Sequence, residues 1–185
     1  GPANADVVTF GGAGFQQLYM ADNVVYAQGT GRALVMSNSG SGSGVIIDNV
    51  NFRSVGGGTG TPVVVSAGTF QGRGGTLWPT APTSASIDAS GSGRVFLTSA
   101  DVFGQVVLSG ASQFSISNSQ IRSGNLVGVV DNTSGDVLIA DTGFNTLVPG
   151  NVVSTGGGAN VYYAQLTYTV PGQGMPGTAI LLPGS

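Results

Sequence analysis

Phe114-Ser-Ile-Ser-Asn-Ser-Gln-Ile121 is the stretch on which the reading of this chain turns. Its first and third places are apolar and share one face of a strand, because strand side chains alternate. Its fifth place, Asn118, suits a bend, since Asn and Asp tolerate the left-handed backbone conformation and can hydrogen-bond their own backbone. Ile121, at the eighth place, points inward again from a second strand. The phrase therefore reads as strand, bend, strand.

Six more stretches repeat it, beginning at Leu18, Val45, Val63, Val95, Val137 and Val161. Their fifth places are Asp22, Asn49, Ala67, Ser99, Asp141 and Gln165, and the fourth place is always small or Asp. In a chain that is 41% apolar, three apolar places recur by chance. The bend residues and a mean spacing of about 24 residues carry the assignment. Most copies are followed by another alternating stretch, such as Leu34/Met36 or Val106/Leu108, so each repeat supplies about three short strands. Stacked repeats bury a column from the third places: Met20, Ile47, Val65, Leu97, Ile116, Ile139 and Tyr163. The uneven spacings predict longer loops at 37–44, 56–62 and 72–83.

The phrases from Phe114 and Val45 resemble the parallel β-helix repeat of the pectate-lyase-like superfamily, over roughly residues 15–169. The resemblance implies an all-β fold: a single-stranded right-handed parallel β-helix of about seven coils, with an Asn-containing bend in each. Among proteins of that fold, the composition is similar to that of a phage or viral tail-spike or fibre segment, and such segments are usually homotrimers. Bacterial filamentous adhesins share the coil, and so do polysaccharide lyases and hydrolases, so fold alone does not select a function. Gly1-Pro2 reads as the remnant of a cleaved expression tag and residues 3–169 as the β-helix domain. Residues 170–185, punctuated by Pro and Gly, read as a C-terminal cap or partner-contact segment.

Composition narrows the chemistry. The 185 residues include 33 Gly but no His and no Cys, and inspection finds no Lys and no Glu. The five Arg and eight Asp give a net charge of −3. No basic cluster is present to neutralise phosphates, which argues against nucleic acid. No run of about 18 apolar residues exists to span a membrane as a helix. Without His or Cys there is no Ser-His pairing, thiolate nucleophile or imidazole metal ligand, and neither a cofactor nor a metal is expected. The triple Gly at 56–58 precedes Thr59, Gly60 and Pro62 rather than a helix, so it is not a phosphate loop.

General acid–base chemistry would fall to Asp, with Arg as a charge stabiliser. Paired carboxylates of the glycosidase kind need two Asp on adjacent coils. Asp22 and Asp48 come nearest in phase, although both also suit the bend. Asn49, Asn118 and Asp141 read the same way, as a turn ladder along one edge. For binding, Trp78 is the foremost candidate. It is the single Trp, and it falls in the widest spacing, where a projecting loop would let it stack on a sugar ring or anchor in a partner. Arg53 and Arg122 each follow an inward eighth place, so both are expected outward on one sheet, where they could contact anionic sugars. Tyr162 is expected outward and Tyr163 inward.

Two function classes follow. The thin acid–base inventory favours a rigid module of an extracellular or virion-surface fibre, binding a host cell-surface polysaccharide, over a lyase or hydrolase of the same fold. A homotrimer is the expected assembly.

Overall fold

The structure is a computed structural model that describes residues 4–56, 60–124, 128–146, 153–155, 161–164, 167–169 and 176–177. The chain forms an all-β parallel β-solenoid of about five turns, with no helix among the described residues. Three strand columns run along its axis. The first is a seven-stranded sheet: Val8–Gly12, Leu34–Asn38, Val63–Ala67, Ala85–Ala89, Gln105–Gly110, Val129–Thr133 and Val153–Thr155. The second holds Gln17–Ala21, Gly44–Asp48, Thr69–Arg73 and Arg94–Thr98; the third holds Val24–Gln28, Asn51–Val55, Thr76–Trp78 and Asp101–Phe103. Two long strands, Gln113–Ser123 and Val137–Thr146, run through both of these columns and join them into one sheet. Short strands Val161–Ala164 and Thr167–Thr169 continue the two columns, and Pro176–Gly177 pairs antiparallel with the last. The solenoid thus has about five turns where the repeat count predicts about seven coils.

The bends follow the sequence reading closely. Asp22, Asn49, Ser99, Asn118 and Asp141, all fifth places, have φ of +49°, +52°, +56°, +46° and +46°. Their side chains bridge coils: Asn49 Nδ2 donates to Asp22 Oδ1 (2.9 Å) and Asn118 Nδ2 to Ser99 Oγ (3.1 Å). Inside the same bend, Val50, Ala100, Ser119 and Thr142 stack as a buried row of small or branched residues. The hydroxyls there are satisfied by backbone, as where Thr142 Oγ1 donates to the Ala140 carbonyl (2.7 Å).

The copy from Val63 departs from the expected column. Val63–Ala67 belongs to the first column, where Val65 pairs with Met36 and Ala89. Ala67 is therefore not at the bend between the second and third columns. In this coil the second-column strand is Thr69–Arg73, and the bend is Gly74-Gly75, with φ of +66° and +79°. The third-place residue is Gly72, in register with Ile47 and Leu97. Its hollow is filled from both sides: a Cβ there would lie 2.8 Å from Leu97 Cδ2 and 3.3 Å from Ile47 Cδ1. Started from Phe70, this copy lies 25 residues from both Val45 and Val95.

The other inward places behave as expected. Ile47, Leu97, Ile116 and Ile139 are buried, and so are the eighth places Phe52, Leu77, Val102, Ile121 and Phe144. Tyr163 pairs with Ile139 by register, but its side chain lies outside the described residues, as do Gln165, Gly1-Pro2 and most of 170–185. The expected loop at 72–83 shrinks to residues 79–84, since Thr76–Trp78 is a strand.

Candidate functional site

Residues after each eighth place project outward from the third column. In a parallel sheet, equivalent residues sit about 4.8 Å apart along the axis, so outward side chains form a ladder. Tyr26 is in register with Arg53, Arg53 with Trp78, Phe103 with Arg122, and Arg122 with Asn145. Trp78 and Phe103 close the ladder between them, stacked at 4.1 Å between centroids with planes 15° apart. The Arg53 guanidinium lies 5.2 Å from the Trp78 ring centre, and that of Arg122 lies 5.1 Å from the Phe103 ring centre. The result is a four-rung arginine–aromatic–aromatic–arginine stack. Each cation–ring contact at such half-exposed positions is worth roughly 0.5–1 kcal/mol, and the ring pair a similar amount.

Trp78 thus sits on a strand, not on the projecting loop expected from the spacing. It is 42% exposed, yet both ring faces are occupied, one by Arg53 and the other by Phe103. What it presents to solvent is an edge. A sugar cannot lie flat on this indole unless Arg53 moves away. Any ligand at this face meets indole edge and guanidinium first, and polar recognition outweighs ring stacking.

The two arginines differ in charge balance. Arg122 Nε lies 3.0 Å from Asp101 Oδ1. Burial pushes the Asp101 carboxyl above the usual aspartate range, against the opposing pull of Arg122. Arg53 has no carboxylate partner among the described residues, and it borders a cleft lined also by Val55, Pro79 and Thr80. Tyr162, outward on the second column in register with Leu138, is 54% exposed and lies on a different ladder from Trp78.

The carboxylates proposed from phase, Asp22 and Asp48, are both exposed, and Asp22 is engaged by Asn49 in the bend. The Asp22 backbone N–H donates to the Asp48 carbonyl (3.0 Å), so adjacent coils are tied together at this point. A separate polar cleft, lined by Asp101, Asp141, Asn118, Arg122, Ser99 and Gln120 among others, was not foreseen. Neither was Phe103. The rule that placed Arg53 and Arg122 outward applies equally to Phe103, which follows Val102.

Asp88 lies away from this face, outward on the first column between Val64 and Val107. Burial among these side chains raises its carboxyl above the usual aspartate range, while the charge of Arg32 partly opposes the shift. The folded state therefore binds this proton more tightly than the unfolded chain does. Its contribution to stability rises as pH falls through the raised folded value and levels off below the unfolded value. Asp88→Asn is expected to raise the melting temperature at pH 7, with the advantage shrinking as pH drops and Asp88 itself becomes neutral. A melting-temperature difference that stays constant from pH 7 down to pH 3.5 would refute this assignment.

Compared with protein-family models, curated proteins and solved structures, the chain matches none. The likeness to the pectate-lyase-like repeat therefore extends to a parallel β-solenoid and identifies no family.

Proposed function

We propose that the chain is a rigid recognition module of an extracellular or virion-surface fibre, of the tail-spike or tail-fibre type, and that it binds a host-surface glycan. The observation that carries this reading is the Arg53–Trp78–Phe103–Arg122 stack, held on a sheet whose backbone cannot rearrange without breaking the ladders above and below it. Rigid, pre-ordered side chains lose little entropy on binding. Trp and Arg are the residue types most often found at energetic centres of interfaces.

The test is binding of the purified chain to a panel of bacterial capsular polysaccharides and lipopolysaccharides. Trp78→Ala and Arg53→Ala should each weaken binding about 10- to 100-fold, as expected of interface hot spots, with little change in the far-UV spectrum. Absence of binding across the panel, or binding indifferent to both substitutions, would sink the proposal.

A lyase or hydrolase of the same fold is the second reading. It is favoured by the cleft that brings Asp101, with its raised carboxyl, together with Asp141 and Arg122. New reducing ends or unsaturated sugars from the same panel, lost in Asp101→Asn, would establish it in place of the first.

A further inference from the structure

Each coil turns a corner between the first and second columns, and the corners differ in length. Residues 39–43 join Leu34–Asn38 to Gly44–Asp48, and residues 90–93 join Ala85–Ala89 to Arg94–Thr98. The coil between them turns on Gly68 alone. Its φ is +83°, and a Cβ there would lie 2.9 Å from the Asn38 carbonyl oxygen, so this tight corner requires glycine. A short corner between two long ones leaves a notch. Its walls are two coils apart, about 9.6 Å at the strand spacing of a parallel sheet, and it encloses about 190 Å³.

The notch gathers hydrogen-bond donors and no carboxylate. Ser39, Ser41, Ser92 and Thr69 line it, and their hydroxyls make no hydrogen bond among the described residues. The Ser41 and Gly42 N–H groups find no acceptor there either. Arg94 completes the lining. It makes no ion pair among the described residues, and its register neighbours, Thr69 and Gln113, are uncharged.

We propose that the notch binds a tetrahedral oxyanion, a phosphate or sulfate group. Arg94 supplies the charge. Ser41 and Gly42, the latter at φ +76°, offer successive N–H groups in a turn, an arrangement that holds anions. Hydroxyls on both walls suit oxygens that point in several directions, whereas one guanidinium satisfies a planar carboxylate by itself. A single cation neutralises one phosphate, which separates this site from a nucleic-acid track. Carried as an ester on a host glycan, the anion would deepen the proposed function, and that part rests on it; the oxyanion site itself does not.

Amide spectra of the isotope-labelled chain, titrated with phosphate, sulfate and chloride at fixed ionic strength, test the site. Phosphate and sulfate should shift the Ser41, Gly42 and Gly68 amides saturably, and chloride should not. Arg94→Gln, at an exposed place with no partner to lose, should weaken this binding about 10- to 100-fold, the share of one charge-assisted hydrogen bond. Its melting temperature should not change. Ser92→Asp, which sets a carboxylate in the notch, should abolish binding. Shifts that are absent, equal with chloride or indifferent to Arg94→Gln would overturn the proposal, whatever the polysaccharide panel shows. A hexose phosphate and a hexose sulfate, each beside the parent hexose, then separate the two sources. Tighter binding of the esters than of the inorganic ions ties the notch to a glycan substituent; no gain keeps it as a site for the free ion and rejects it as a glycan contact. Trp78→Ala, on another column, should leave all these affinities unchanged; a loss there would move the anion to the arginine–aromatic stack and overturn the assignment.

Discussion

Gly75→Ala is expected to destabilise the protein by roughly 3–5 kcal/mol, while its neighbour Gly74→Asn is expected to be neutral or mildly stabilising. Both glycines have positive φ, but they face different surroundings. A Cβ on Gly75 would lie 2.8 Å from the Val50 nitrogen and 2.9 Å from its carbonyl carbon, with the carbonyl oxygen nearer still. Those are backbone atoms of a strand junction and cannot move aside. Strain in φ adds to the clash. At Gly74 the nearest atoms are 3.7 Å away, on Asn49. Asn tolerates that φ, and it would restore the bend ladder in the one coil where Gly interrupts it. Urea unfolding followed by far-UV dichroism measures both. A loss below 1 kcal/mol for Gly75→Ala would show that the inner corner is less crowded than the geometry says.

Phe70→Ala should cost roughly 3–5 kcal/mol, and Phe70→Leu less than about 1.5 kcal/mol. Phe70 is fully buried, in register with Val45 and Val95, and meets Phe52 edge-on with ring centroids 6.2 Å apart. Two residues along its strand, Gly72 contributes no side chain, so Leu97 and Ile47 are already extended into that space. They have little reach left to refill a second void, which places Phe70→Ala toward the upper part of the range. A midpoint shift equivalent to less than 1.5 kcal/mol, at an unchanged denaturant slope, would show that the neighbouring coils collapse into the cavity.

Gly72 also explains where the sequence was legible and where it was not. Bend positions were readable because one backbone requirement, positive φ without glycine, selects Asn, Asp or Ser, and five such residues recur in phase. The third coil was misread because it meets the same requirements by other means. Its bend uses Gly74-Gly75, and its inward place is filled by the side chains of adjacent coils, so the apolar pattern is absent there and matches at Val63 instead. The same shift of phase makes Trp78 read as a loop residue. With the coil in phase, Trp78 follows the inward Leu77 as Arg53 follows Phe52 and Phe103 follows Val102, and the outward ladder becomes readable. The contacts along the ladder stay beyond sequence reasoning, because ring stacking and the pairing of Arg122 with Asp101 depend on rotamers chosen by neighbours one coil away.

The bend ladder and the three columns bear on how such a solenoid carries load. Tension along the axis pulls coils apart across three strands at once, so the backbone bonds of a whole turn must yield together, with the Asn49–Asp22 bridge at one junction and the Asn118–Ser99 bridge at another. Tension applied through the chain ends acts on one strand at a time and can peel the terminal coil in steps. The same fold is therefore stiff when gripped by its faces and extensible when pulled by its termini.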